Sequence, residues 1–111
     1  MGNSEKESLA GKQAGYEIIV RREAQLETQD AFRYYEDKSD GLGFEFLRSL
    51  DASLQSVKRN PFAYQTIYKE TRRVLLRKFP YALFYVVEEN RIVVIACFNQ
   101  KRSPIDWLRR T

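Results

Sequence analysis

The sequence contains no histidine, and it contains one cysteine, one methionine and one tryptophan among its 111 residues. Histidine is the most common general base in enzymes and the most common metal ligand, so other residues would have to take both roles. With a single cysteine as well, the sequence argues against a zinc site, and we expect neither a metal nor a cofactor. Cys97 lies inside an apolar run over residues 92–98, which favours a small core residue over a nucleophile.

Long hydrophobic runs are also missing, so no segment approaches the length of a membrane span. Residues 1–15 are polar and lack the apolar stretch of a signal peptide, and Lys6 stands where N-myristoylation requires Ser or Thr. Because one cysteine cannot form a disulfide within the chain, we expect a protein of the reducing cytoplasm. The length predicts one domain over residues 16–111, preceded by a flexible tail over residues 1–15.

Charge is distributed unevenly along the chain. Residues 1–60 hold nine Lys or Arg and eleven Asp or Glu, a net charge of −2, whereas residues 61–111 hold ten and four, a net charge of +6. A basic second half indicates contact with nucleic acid or with an acidic partner. The alternative is that these charges only solvate the surface.

Two amphipathic helices are predicted after a short β-branched strand over residues 16–22. The first spans residues 23–38, and residues 39–43 break it with two glycines. The second carries one apolar stripe and ends where Asn60 precedes Pro61, because the residue before proline avoids the helical region. The stripe consists of Phe44, Leu47, Leu50, Leu54 and Val57.

Three strands are predicted in the second half, over residues 68–78, 82–88 and 91–98, after an aromatic loop over residues 62–66. Their short connections favour an antiparallel meander, giving an α+β fold with the helices on one face of the sheet. The alternation predicts that Val74 and Leu76 pack on the helices and that Arg73 and Arg77 share the open face. The last two strands are apolar at nearly every position, so we expect both of their faces to be covered.

This order of elements, β-α-α-β-β-β, resembles the RelE/ParE superfamily of toxins from type II toxin–antitoxin systems. The resemblance extends over about residues 16–110, and it rests on the order and spacing of several short motifs. They are Asp30 to Glu36 (DAFRYYE), Gly41-Leu42-Gly43 followed by Phe46-Leu47, Asn60-Pro61, Arg72-Arg73, Arg77 to Tyr81 (RKFPY), Tyr85, and Arg102-Ser103-Pro104 with Trp107 and Arg110.

The resemblance implies a toxin, of the plasmid-stabilisation type, that a co-encoded antitoxin neutralises. It implies contact with operator DNA only through the antitoxin, and no membrane. ParE-like members poison DNA gyrase, whereas RelE-like members are mRNA interferases that cut messenger RNA on the ribosome without a metal. In a RelE-like enzyme, Arg77 and Arg102 would be catalytic. The residues expected to contact phosphate, the target or the antitoxin are Lys69, Arg72, Arg73, Arg77, Lys101, Arg102, Trp107 and Arg110.

The acid–base side of ribonuclease chemistry fits less well. RelE-like enzymes usually place a tyrosine or histidine after the last-loop arginine, where this sequence has Trp107, whose indole is neither acid nor base at ordinary pH. Tyr81 or Asp106 would have to substitute. We therefore expect the ParE-like activity, with the RelE-like activity as the alternative and a non-toxic protein that keeps only antitoxin binding as the second alternative.

Overall fold

Two helices and five strands form from these sequence patterns in the computed structural model, which describes residues 15–101. The fold is α+β, with the helices between the first strand and the other four. In chain order the elements are β1 Glu17–Val20, α1 Arg22–Lys38, α2 Leu42–Arg59, β2 Thr66–Tyr68, β3 Thr71–Leu75, β4 Tyr81–Glu88 and β5 Arg91–Asn99.

The strands form one sheet in the order β1-β5-β4-β3-β2. The strands β2 to β5 make the expected antiparallel meander. The last strand, β5, also pairs in parallel with β1 at the start of the chain. The β4–β5 register shifts after Phe84, because Phe84 lies opposite Ala96 while Tyr85 lies opposite Val94. Ile95 is therefore the extra residue of a β-bulge in β5, the strand between β1 and β4.

The predicted strand over residues 68–78 is wrong in its bounds. Lys69 has a φ of 50°, a turn conformation that separates a short strand β2 from β3. The strand β3 ends at Leu75, and Lys78 has a φ of 70° in the bend that follows. The short β2 lies partly in the segment that the sequence predicted as an aromatic loop.

The helical hairpin is held at its turn by one carboxylate and one close contact. Glu36 accepts hydrogen bonds from the backbone N–H groups of Gly41 and Gly43, both at 2.9 Å, so it satisfies two donors at the start of α2. Gly43 packs directly on Phe32 of α1, where a Cβ atom would lie 2.7 Å from the Phe32 carbonyl oxygen. The hairpin therefore depends on a glycine at this crossing.

The core has two parts, one on each face of the sheet. The hairpin covers one face, and Val74 and Leu76 lie there against Phe46 and Val57, as the alternation predicted. Full burial of a side chain as large as Phe46 stabilises the fold by roughly 2–3 kcal/mol. The second cluster lies on the opposite face and is also buried, so β4 and β5 are covered on both faces, as predicted. It consists of Ala82, Phe84, Val93, Ile95, Ala96 and Phe98.

Two hydrogen bonds, one buried and one partly buried, connect distant parts of the chain to the sheet. The Tyr85 hydroxyl donates to the Pro61 carbonyl at 2.7 Å and fixes the end of α2 on β4. The backbone N–H of Cys97 donates to a Glu27 carboxylate oxygen at 2.9 Å, beyond the end of β1. A side chain of α1 thus continues the hydrogen bonding of β5 where the parallel strand stops. Neither helix of the described region has the length and apolarity needed to cross a membrane.

Candidate functional site

The bend after β3 sets the position of Arg77. The Leu76 N–H donates to the Tyr81 carbonyl at 2.9 Å, which closes the bend, and Phe79 is buried in the core below it. The Ser49 hydroxyl of α2 donates to the Arg77 carbonyl at 2.7 Å. The Arg77 backbone is therefore fixed beside the middle of α2, while its side chain remains exposed.

A groove of about 820 Å³ lies between α2 and the end of β3. The helix lines it with small side chains, which keep it open, and β3 and the bend form the opposite wall. The residues from the helix are Glu45, Arg48, Ser49, Ala52, Ser53, Ser56 and Arg59, and the others are Tyr64, Val74, Leu75, Arg77, Lys78 and Phe79.

The groove is cationic, since Arg48, Arg59, Arg77 and Lys78 line it against the single carboxylate of Glu45. Within residues 15–101 the one ion pair joins two residues of α1 at 3.5 Å, so none of the groove cations is neutralised by a carboxylate there. Arg59 donates a hydrogen bond to the Ser56 hydroxyl at 3.2 Å. Unpaired guanidinium groups around a polar groove suit carboxylate or phosphate oxygens.

Arg73 and Arg77 do not share a strand face, which corrects the prediction. Arg73 lies opposite Phe84 in the β3–β4 register, on the face away from the helices. Arg77 follows the end of β3 and lines the groove beside α2. The alternation rule fails here because the strand stops before it reaches Arg77.

Arg72 and Lys69, two further predicted contact residues, lie apart from the groove. Arg72 holds the preceding loop, donating to the carbonyl oxygens of Tyr64 at 2.6 Å and Phe62 at 3.3 Å and lying 5.2 Å from the Phe62 ring centroid. Lys69 is exposed in the β2–β3 turn over the ring of its neighbour Tyr68.

Lys101 is exposed after β5, and its backbone N–H donates to the Asn99 side chain at 2.9 Å. Arg102, Trp107 and Arg110 lie outside the described residues. Among the predicted residues that fall within 15–101, only Arg77 lines the groove.

Sequence analysis missed Arg48, Ser53 and Arg59, which lie on α2 and line the same groove. A signal existed beside the apolar stripe of this helix. Ser49, Ala52, Ser53 and Ser56 recur at helical spacing and mark a second face of small residues next to two arginines. No sequence pattern predicted that the end of β3 would lie opposite that face.

The groove can hold an anion, and Glu45 and Tyr64 line it. Two other tyrosines, Tyr81 and Tyr85, lie in the core instead. Burial raises the pKa of Tyr85 to about 12, and its hydroxyl is hydrogen-bonded to Pro61. Tyr81 packs against Tyr35 and Phe46 at centroid distances of 6.0 and 5.2 Å rather than lining the groove.

Cys97 is equally unsuited to chemistry, because burial raises the pKa of its thiol to about 12. Among residues 15–101 no cluster of three or more cysteine, aspartate or glutamate side chains could hold a metal ion. The groove therefore offers cations and hydroxyl groups for binding, together with the carboxylate of Glu45.

Comparison with known proteins identifies the family and supports the fold. The sequence profile of the ParE toxin of the type II toxin–antitoxin system, parDE, matches residues 18–104. The fold is similar to a chain in a solved structure described as the chromosomal ParDE TA system from P. aeruginosa, with a TM-score of 0.66 and 12% sequence identity over 78% of this chain and 97% of that chain. No curated protein matches in sequence. Since the profile covers most of the chain, the protein belongs to the ParE toxin family of type II toxin–antitoxin systems.

Proposed function

We propose that this ParE-family toxin inhibits DNA gyrase by binding it, and that a cognate antitoxin silences the toxin. The observation that favours binding over cleavage is the composition of the groove around Arg77. Arg48 and Lys78 provide cations there, whereas Tyr81 packs in the core and Tyr85 is hydrogen-bonded to Pro61. Cations can hold an anionic target without any acid–base group.

Supercoiling by purified gyrase tests the proposal directly. We expect the purified toxin to inhibit supercoiling at micromolar concentration and to trap the enzyme's cleavage complex with DNA. Arg77→Ala should weaken the inhibition, while Arg22→Ala, which removes the same charge at the exposed start of α1, serves as the control. Unchanged supercoiling and no trapped complex with the unaltered toxin would refute gyrase as the target.

Cleavage of messenger RNA is the second candidate, and the exposed side chain of Arg77 favours it, because an arginine fork can stabilise a phosphate as charge develops. Primer extension on translated message after toxin expression tests this activity. Cleavage that disappears in Arg77→Ala and in Arg102→Ala would establish the RelE-like alternative. Expression without growth arrest would instead favour a non-toxic chain that retains antitoxin binding.

The antitoxin is proposed to cover the cationic groove that contains Arg77. Exposed charge pairs are screened by salt, since the Debye length falls from about 10 Å at 0.1 M to about 3 Å at 1 M. We expect affinity for the product of the adjacent acidic reading frame to fall over this range. An affinity that does not change with salt would contradict the electrostatic part of the proposal.

A further inference from the structure

The outer surface of the helical hairpin carries an apolar crevice of about 320 Å³, separate from the groove. Phe44 stands two residues before Phe46, which is fully buried, and two residues turn an α-helix by about 200°. Phe44 therefore faces away from the sheet, and the crevice opens beside it between α1 and α2. The residues that line it are Thr28, Gln29, Phe32, Arg33, Phe44 and Leu47.

Packed aromatic rings form the wall of this crevice. Phe32 and Phe44 meet edge to face, with ring centroids 4.9 Å apart. Gly43 holds the two helices close together there, since a Cβ atom at this position would lie 2.8 Å from two atoms of the Phe32 ring. Phe44 is nevertheless 53% exposed. An apolar hollow beside an exposed ring is typical of a surface that another protein covers.

The same face also carries a projecting apolar side chain. Leu26 is 45% exposed, and it lies three residues before Gln29 and seven before Arg33, which both line the crevice. Positions three, four and seven residues apart share one face of a helix. The outer face of the hairpin therefore presents both an apolar projection and an apolar hollow.

Charge on this face is balanced, in contrast to the groove. Asp30 and Arg33 are both exposed, and their side chains form an ion pair at 3.5 Å. Arg22 and Asp51 add one charge of each sign on the exposed sides of α1 and α2. The groove, with four cations against one carboxylate, repels a second groove. A face with equal numbers of both signs can instead pair its charges with those of an identical face.

We infer that the outer face of the hairpin binds a second copy of the chain in a two-fold symmetric dimer. In a two-fold interface the same patch serves both partners, so the patch must hold the projection and the hollow together. Leu26 of each copy enters the crevice of the other, beside Gln29 and Phe44, and the contact is made twice. The groove lies along the other side of α2, so the dimer presents two open grooves.

The size of the face determines how strong this dimer is. The helix α1 has 17 residues, which makes it roughly 26 Å long at 1.5 Å per residue. Two helices side by side are roughly 20 Å wide, so the dimer buries about 500 Å² on each copy and about 1,000 Å² in total. This total is at the lower limit for a specific interface. We therefore expect a reversible dimer with a dissociation constant that is micromolar or weaker.

Sedimentation velocity of the purified full chain, from about 1 µM to about 500 µM, measures this equilibrium. The sedimentation coefficient should rise from that of a monomer to that of a dimer. Leu26→Glu should weaken the dimer by about tenfold or more, because a carboxylate then enters an apolar crevice. Tyr34→Glu adds the same charge at an exposed position of α1 that does not line the crevice, and it should change the dissociation constant by no more than about twofold. Equal losses in the two variants would overturn the site.

A mixture of two variants tests the reciprocal contact itself. Gln29→Lys places an ammonium group in the crevice wall. In a mixed dimer of Leu26→Glu with Gln29→Lys, one apolar contact is kept, and in the other the new carboxylate meets the new ammonium group. We expect mixed dimers at concentrations about tenfold below those at which Leu26→Glu dimerises alone. If mixing restores no dimer, Leu26 does not enter the crevice of the second copy, and the inference is wrong.

The other ways of covering this face give different results. If the unaltered chain stays monomeric and Leu26→Glu instead loses affinity for the antitoxin, the face belongs to that partner and the inference fails. If a dimer forms that Leu26→Glu does not weaken, the dimer uses another surface and the inference also fails. Neither result bears on gyrase inhibition, because Arg77, which the supercoiling assay tests, lies in the groove and outside this face.

Discussion

Gly43 of α2 lies in close contact with Phe32 of α1. A Cβ atom there would lie 2.7 Å from the Phe32 carbonyl oxygen and 2.8 Å from two atoms of the Phe32 ring. The backbone oxygen cannot move without distorting α1, so we expect Gly43→Ala to destabilise the fold by about 2 kcal/mol or more, as overpacking does. Urea unfolding of the purified variant measures this change.

Gly41 provides the matched control for that experiment. It has a φ of +87°, but a Cβ atom there would meet nothing within 4 Å. Gly41→Ala should therefore cost only the backbone strain of a left-handed alanine, about 1 kcal/mol. A larger loss for Gly41→Ala than for Gly43→Ala would show that close packing does not govern this turn.

Glu36 replaces the missing side-chain cap of α2, which begins after Gly41. Its carboxylate accepts from the N–H groups of Gly41 and Gly43 and also places negative charge at the helix N-terminus. Glu36→Ala should destabilise the protein by about 1–2 kcal/mol, as loss of a cap does. Glu36→Gln keeps one acceptor oxygen and should lose less. Chemical denaturation measures the stability of both variants. Equal losses of stability in Glu36→Ala and Glu36→Gln would contradict this role.

At the scale of the element, β3 uses its two adjacent arginines in different ways. Arg72 holds the loop before β2 through the carbonyl oxygens of Phe62 and Tyr64, whereas Arg73 is exposed. Arg72→Ala should therefore destabilise the fold by about 1–2 kcal/mol, in the range for hydrogen bonds from charged groups. Arg73→Ala should change stability by less than about 0.5 kcal/mol.

Thermal unfolding of the two arginine variants checks this division, because both remove the same charge from the same strand. Amide exchange in residues 62–65 should also increase in Arg72→Ala alone, since the loop loses its anchor. Equal stability losses in both variants would mean that Arg72 does not hold the loop.

The sequence predicted the elements whose pattern is long and local. The apolar stripe placed α2, and the alternation placed Val74 and Leu76 against the helices. The break at Lys69 was not predictable, because a positive φ at a lysine has no sequence signature. Likewise, the hydrogen bond from Cys97 to Glu27 joins residues 70 positions apart in the sequence. They come together only because β1 pairs in parallel with β5.

The same limit applied to the groove. Arg77 was found through its place in a motif, but Arg48 and Ser53 become neighbours of β3 only when the hairpin packs on the sheet. Helical spacing shows that Ser49, Ala52, Ser53 and Ser56 share a face, and it does not show what that face meets.

At the scale of the whole molecule, both faces of the central strands are buried, and titratable groups are buried with them. Cys97 and Tyr85 are each 1% exposed. Burial raises the pKa of Cys97 from 9.0 to about 12; the neighbouring Thr28 hydroxyl lowers this pKa and the charge of Glu27 raises it. Burial also raises the pKa of Tyr85 from 10.0 to about 12. The folded state therefore keeps protons that the unfolded chain loses in alkaline solution.

This difference predicts an alkaline loss of stability that begins with the thiol. Because the folded pKa of Cys97 is raised, its contribution is complete below pH 9 and is lost as the pH rises from 9 towards 12. Between pH 9 and 10 the free energy of unfolding should fall, by at most about 1.4 kcal/mol per pH unit for this one group. Cys97→Ala should be less stable than the unaltered protein at neutral pH, because the deleted sulfur leaves a cavity. Its stability should nevertheless stay constant up to about pH 10, above which Tyr85 begins to lose its proton in the unfolded chain. Urea unfolding at a series of pH values measures both curves. Parallel declines from pH 9 in both proteins would show that another group causes the loss.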